Sequence, residues 1–218
     1  MKQLAAALLA IFAMSTAHAN VVVTNTTQNN TGFVVSNTDL LQTQLATKLA
    51  SGNFSIEGSN GTVAFNNGIF GAQGNPGSGE AATGNGNSIT FFLNGAYNLR
   101  SIDSYAGWDA YRGGQSYNVF YATLATPANY VLLASVFNDA IGAGIGNTNT
   151  RANIVSDSGY LASNVTSLRF EFNNNLTEGY NGYREIDVQG SAVPEPGSMA
   201  LLGLGLAGLA ALGRRKQG

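Results

Sequence analysis

Residues 167–172 read Ser-Leu-Arg-Phe-Glu-Phe, with apolar side chains at every second position. That is the period of a strand with one buried face, and it leaves Arg169 and Glu171 pointing outward. Further β-branched and aromatic runs occupy residues 21–24, 62–65, 88–93, 117–122, 130–135 and 185–189. The run at 117–121 alternates less cleanly, as a strand covered on both faces does. Between the runs lie Asn- and Gly-rich spacers at 66–68, 74–77 and 84–87. Those residue types tolerate positive φ and mark tight turns. One segment departs from the period of two: Leu41, Leu45 and Leu49 recur at i, i+4 and i+8, after a possible cap at Asn37 or Thr38 and before Gly52. This spacing predicts a short helix over 39–49, although two threonines inside it keep a strand reading open. No repeat of solenoid period is visible. Many short strands at regular spacing predict an all-β sandwich.

The two ends do not belong to that sandwich. Lys2 precedes an apolar stretch over 4–14, followed by Ala17-His18-Ala19. This small-x-small pattern predicts a signal peptide over 1–19, cleaved between Ala19 and Asn20. At the other end, Pro194-Glu195-Pro196 leads into an apolar run from Met199 and then into Arg214, Arg215 and Lys216. As a helix, 199–213 would measure roughly 22 Å, a little short of the ~30 Å hydrocarbon core. The basic residues behind it suit a cytoplasmic face. The expected organisation is therefore a signal peptide (1–19), one β-sandwich domain (20–192) and a C-terminal segment (193–218) containing a transmembrane helix.

That C-terminal segment resembles the PEP-CTERM sorting signal of Gram-negative bacteria, which has a Pro-Glu-Pro motif, a short Gly- and Leu-rich membrane helix and an arginine-rich end. The resemblance implies export, transient anchoring at the inner membrane, recognition by an exosortase and cleavage near the motif. It also implies a destination at the outer surface or in the exopolysaccharide (biofilm) matrix. Segments of this kind also end some proteins labelled ice-binding. Ice binding usually needs a flat, regular Thr-rich face, and Thr24, Thr26, Thr27 and Thr31 are too few and too near the terminus.

Composition removes several function classes. Residues 20–192 carry eleven acids against six bases, and Lys48 is the only lysine among them. Without a basic stripe, nucleic acid is not an expected partner. The chain has no cysteine, and its one histidine, His18, lies in the predicted signal peptide. Disulfides, thiolate nucleophiles, Cys/His zinc sites and a histidine general base are thereby excluded from the working domain. Stability has to come from packing and sheet hydrogen bonds.

A second resemblance lies in the body of the chain. Residues 88–123 run as a strand (89–93), a turn, a second strand (99–105), a variable loop (106–116) and a Tyr-x-Val-x-Tyr strand (117–121). With the closing Tyr-Arg-Glu-Ile-Asp-Val-Gln-Gly of 183–190, this resembles galactose-binding-like jelly rolls of the discoidin or F5/8 type C superfamily. Phe65-Asn66-Asn67-Gly68 sits where that family often has Leu-x-Asp-Gly, and Asn67 departs from the aspartate. The resemblance implies a jelly-roll fold but no particular ligand, because this fold hosts binders, accessory modules and scaffolds alike.

Candidate chemistry concentrates between Tyr105 and Gln115. Tyr105, Trp108, Asp109, Tyr111, Arg112 and Gln115 place aromatic plates beside a carboxylate, a guanidinium and an amide in a Gly-containing loop. A sugar offers an apolar C–H face and a rim of hydroxyls, so this set suits it. The alternative is structural: Trp108 caps the core, and Asp109 or Arg112 fixes the loop through a salt bridge. The carboxylate pairs Asp103/Asp109 and Glu185/Asp187 invite comparison with glycosidase sites. Glu185 and Asp187 are expected on the solvent face of the closing strand, and no catalytic motif accompanies either pair. The reading is a non-catalytic carbohydrate-binding protein, with a structural matrix or surface protein as the alternative. No cofactor is expected, and a structural calcium ion has no motif behind it.

Overall fold

A computed structural model of the chain describes residues 20–42, 46–71, 80–84, 86–109, 111–140, 147–173, 179–194 and 197. The predicted signal peptide, including Ala17 and Ala19, lies outside them. So do Glu195, Pro196, the apolar run 199–213, Arg214 and Arg215. Among the described residues no helix is long and apolar enough to cross a membrane.

The fold is all-β. Its strands are β1 (Val21–Asn29), β2 (Ala46–Ser51), β3 (Ala81–Thr83), β4 (Ser88–Gly107), β5 (Gln115–Thr123), β6 (Thr126–Asn138), β7 (Thr148–Ser156), β8 (Ala162–Phe172) and β9 (Asn181–Ala192). All pair antiparallel, within one continuous nine-stranded sheet. Strand β4 curls this sheet into two layers. Its first half pairs with β2 and β8, and β8 carries the layer on to β5 and β6. Its second half pairs with β7 and β9, which carry the other layer out to β1 and β3. The register shifts between Phe92 and Tyr97 and between Leu99 and Ser101, around Asn94-Gly95. Bulges there allow one strand to turn from one layer into the other, as in a jelly-roll sandwich.

The alternating side chains of both layers meet between them. Ile89, Phe91, Val119, Leu168 and Phe170 from the first layer face Ile102, Ala106, Ile154, Ile186 and Val188 from the second, all of them fully buried. Tyr117 of β5 and Tyr183 of β9 cross the interior with ring centroids 6.2 Å apart. Their hydroxyls are not left dry. Tyr117 Oη lies 2.6 Å from Ser104 Oγ, and Tyr183 Oη accepts the Ser116 amide at 2.9 Å. Buried phenols keep their bulk in the core in this way without the cost of an unmade hydrogen bond.

Two expected elements are corrected. Leu49 belongs to β2 rather than to a helix, with Ala46–Ser51 pairing against residues 88–93 of β4. The open edge of β4 offers a ladder partner that outweighs a marginal helical period, and Thr47 and Leu49 then face outward. The run 62–65 is a 3-10 turn (Gly61–Phe65) instead of a strand, opened by Gly61 at φ +67°. It pushes Ala64 and Phe65 into the core.

The sandwich has two ends. The end of β4, the start of β5 and the starts of β7 and β9 form an upper end. The bulge of β4, the β5–β6 turn, the start of β8 and the end of β9 form a lower end. Nine-residue β5 separates them by roughly 27 Å.

Candidate functional site

The loop 108–114 joins β4 to β5 at the upper end, and its shape is fixed locally. Asp109 Oδ1 accepts the amides of Tyr111 and Arg112 at 2.8 and 3.0 Å, the side-chain turn that aspartate favours. The Thr148 amide donates to the Asp109 carbonyl, and the Gly182 amide to that of Arg112. Gly113 is packed so closely that a Cβ would sit 2.0 Å from the Thr148 carbonyl oxygen. Gly113→Ala is therefore expected to destabilise the fold by about 1–3 kcal/mol and to lower the urea midpoint measurably.

Of the six side chains expected to meet a ligand, the structure turns three inward. Trp108 is 2% exposed, with its indole against Gly182 and its ring centroid 5.8 Å from that of Tyr180. Tyr105 is buried against Phe33 at 5.7 Å and Phe70 at 6.5 Å. Gln115 is fully buried, donating to the Ser104 carbonyl and to Thr150 Oγ1. The indole plate expected at the surface is thus a wall of the upper end, because strand β9 passes directly over it. Tyr111 remains exposed, and Asp109 and Arg112 remain partly so.

Two further residues complete the group. The Arg112 guanidinium lies 4.4 Å from the Tyr180 ring centroid and 5.2 Å from that of Trp108. Its Nη1 meets Glu57 Oε2 at 3.1 Å, and the Tyr180 hydroxyl donates to Glu57 Oε1. Burial, followed by the Glu57 bond, pushes the Tyr180 phenol up to about 12. Glu57 sits in a short 3-10 turn (Ile56–Gly58) at φ +52°, a left-handed conformation unusual for glutamate. Glu57 lies 55 positions from Arg112 and 123 from Tyr180 along the chain, and no local pattern announces the meeting. The result is a half-exposed carboxylate beside a guanidinium that lies close to two aromatic rings, with exposed Tyr111 next to Arg112 in the chain. Such a pair accepts and donates hydrogen bonds within one small area.

The other carboxylates form a covered face. Glu185 and Asp187 are 0% and 4% exposed, which overturns their expected place on the solvent side. Residues 33–42 and 66–70 fold across that outer face of β9. The amides of Asn67 and Gly68 donate to Glu185 Oε2 at 3.2 and 3.0 Å, and the Ser36 amide donates to Asp187 Oδ2 at 2.7 Å. Asp103 is held by Arg151 and Asn153, each at 2.8 Å. Burial, then the neighbouring Asp187, pushes the Glu185 carboxyl up to about 9, and burial pushes Asp187 up to about 7. A sugar cannot reach this pair, so it is no glycosidase dyad.

No group of three or more His, Cys, Asp or Glu side chains able to hold a metal occurs among the described residues. At the Asn66-Asn67-Gly68 turn the cation is the chain's own. Lys48 Nζ donates to the Thr62 carbonyl at 2.7 Å and to Asn66 Oδ1 at 2.6 Å. Burial lowers the Lys48 pKa, and Glu185 partly offsets this.

Residues 192–216 match the PEP-CTERM protein-sorting motif. The motif marks an exported chain that is transiently anchored in the membrane. No curated protein matches the chain. Its structural neighbours include family 32 carbohydrate-binding modules and F5/8 type C domains. CpGH89CBM32-5 from Clostridium perfringens, in complex with GalNAc-β-1,3-galactose, is 14% identical with a TM-score of 0.48, covering 68% of this chain and 97% of the module. The family 32 module from C. perfringens NanJ, in complex with galactose, is 13% identical with a TM-score of 0.46, covering 68% and 96%. An F5/8 type C domain from Bacteroides fragilis is 11% identical with a TM-score of 0.43, covering 68% and 93%.

Proposed function

We propose that the chain is a non-catalytic carbohydrate-binding protein, sorted by an exosortase to the bacterial surface or its exopolysaccharide matrix. The reading is carried by one observation, the Glu57–Arg112 pair between Trp108 and Tyr180 at the upper end. A sugar with two adjacent hydroxyls would donate to Glu57 and accept from Arg112. Its C–H face would lie on exposed Tyr111, and buried Trp108 would hold the guanidinium in place. The Glu57 charge offsets that of Arg112, which favours a neutral sugar over an acidic one. In the mature chain Asn20 would be the first residue. Its amide and side chain already donate to Asp157 at 3.1 and 3.0 Å, so cleavage there would add an ion pair without moving the chain.

The test is binding of the full chain to a glycan panel that includes the host exopolysaccharide. Arg112→Met is expected to weaken binding by roughly 10–100-fold, the worth of a hydrogen bond to a charged group. Glu57→Gln should weaken it less, and neither change should cost more than about 1 kcal/mol of stability by urea denaturation. An Arg112→Met chain that binds as tightly as wild type would sink the proposal.

The structural alternative has its own observation. Among the described residues, strand β6 pairs only with β5, and it exposes Val131, Leu132 and Phe137. An open apolar edge is a template for association between copies. That reading predicts self-association in sedimentation at rising concentration without any sugar.

A further inference from the structure

The lower end of the sandwich is apolar where polar turn residues belong. Strands β5 and β6 are joined by the two-residue turn Leu124-Ala125, with Thr123 paired to Thr126. Hairpin tips of this length favour Asn, Asp and Gly, which water solvates well. Here Leu124 is 62% exposed. The turn is pinned by its own backbone, since the Leu124 amide donates to the carbonyl of Asn164 at 2.9 Å and Asn164 holds a φ of +57°.

Beside this tip opens a cleft of about 450 Å³, walled mainly by Leu93, Tyr97, Leu124, Val193 and Pro194, with Asn94, Asn164 and Thr166 as its polar side chains. No charged side chain lines it. Val193 and Pro194, which follow β9, line the same cleft. Strand β9 is zipped to β4 up to Ala192, and the Val193 amide still donates to the Ala96 carbonyl at 2.8 Å. From that fixed point to Met199, where the apolar run starts, there are six Cα–Cα steps, or roughly 20 Å fully extended. Part of that length must cross the headgroup layer, which adds roughly 5–8 Å to each side of the hydrocarbon core.

We infer that the lower end is a membrane-contact surface: in the anchored chain, the Leu124 tip and the cleft around Tyr97 and Val193 rest in the lipid headgroup layer. The inference rests on the anchored state that the sorting motif marks. Beyond the headgroup layer the tether leaves at most roughly 12–15 Å at full stretch, so the lower end is the one held next to the bilayer, and the cleft it presents there carries no charged side chain. Exposed Arg100, whose guanidinium lies 5.7 Å from the Tyr160 ring centroid, sits in the same region and suits an anionic headgroup. Asp157, also at this end, is occupied by Asn20. The Glu57–Arg112 group then faces outward, away from the lipid.

The absence of cysteine makes the test clean. Leu124→Cys and Tyr111→Cys replace exposed side chains at opposite ends, so each carries a fluorophore without loss of fold. The labelled full chain is reconstituted into phosphatidylethanolamine–phosphatidylglycerol vesicles whose headgroups carry a nitroxide quencher. The label at 124 is expected to be quenched at least twofold more than the label at 111. Equal quenching at both positions in vesicle-bound protein would overturn the contact surface and leave the anchoring intact. A chain that does not float with the vesicles would overturn both.

Discussion

Arg184→Met should cost roughly 3–5 kcal/mol of folding stability, the largest loss expected from any single substitution in the domain. Arg184 is fully buried, and so is Glu80. Its Nη1 lies 3.2 Å from Glu80 Oε2, its Nε donates to the Gly107 carbonyl at 2.5 Å, and its guanidinium sits 5.7 Å from the Phe70 ring centroid. One side chain therefore ties the start of β9 to the end of β4 and to the segment entering β3. Burial lowers the Arg184 pKa and the Glu80 charge raises it again, so the guanidinium depends on its partner. Removing it takes the countercharge from a carboxylate buried in the interior, and the desolvation penalty of that charge dominates the loss. Adding Glu80→Met should recover much of the stability, and the double-mutant cycle isolates the pair. Urea denaturation followed by the fluorescence of Trp108, the only tryptophan, gives the number. A loss under about 1 kcal/mol would show that the pair is solvated.

The second large effect is on pH dependence. Glu185 and Asp187 bind protons up to about 9 and about 7 in the folded chain, well above the ordinary carboxylate range. The unfolded chain releases those protons near pH 4, so between the two values the folded state holds more of them. Stability is then fully present below the unfolded pKa and is lost as pH rises, by up to about 1.4 kcal/mol per unit for each group still protonated. The Asp187 contribution ends near pH 7 and the Glu185 contribution near pH 9. Several kcal/mol should separate pH 5 from pH 9, with the urea midpoint falling throughout. Asp39, Asp103, Lys48, Arg151 and Tyr105 face the pair, and Arg151 keeps its charge across the whole window. Glu185→Gln keeps an acceptor for the Asn67 and Gly68 amides but cannot ionise. It should flatten the profile above pH 7 and exceed wild type in stability at pH 9. A midpoint that rises with pH would contradict the assignment of protonated carboxyls to this face.

The parts of the fold that the sequence announced are those set by local pattern. Strands β4, β5, β6, β8 and β9 follow from apolar alternation and β-branched runs between Gly and Asn spacers. Strand β7 escaped notice because Thr148–Ser156 alternates only at Ala152 and Ile154, and its Arg151 and Asn153 serve Asp103 beneath a cover. The same cover explains the misplacement of Glu185 and Asp187. Glu-Ile-Asp-Val-Gln reads as half-exposed, and nothing nearby in sequence tells that residues more than a hundred positions upstream will fold over it. The candidate site was half legible. Its aromatic and charged loop stood out, but which side chains face water depends on β9 crossing Trp108, and Glu57 and Tyr180 arrive only through the tertiary fold. The sorting motif was legible because it is linear and needs no fold to be recognised.

A sugar held between Glu57, Tyr111 and Arg112 would perturb the backbone around those three residues. The most direct test is to titrate the isotope-labelled chain with the tightest-binding glycan of the panel and follow the backbone amide resonances. Shifts are expected to concentrate at residues 56–58, 108–114 and 179–181, with the lower end unmoved. Shifts confined to any other surface, or none at saturating glycan, would contradict binding at the upper end.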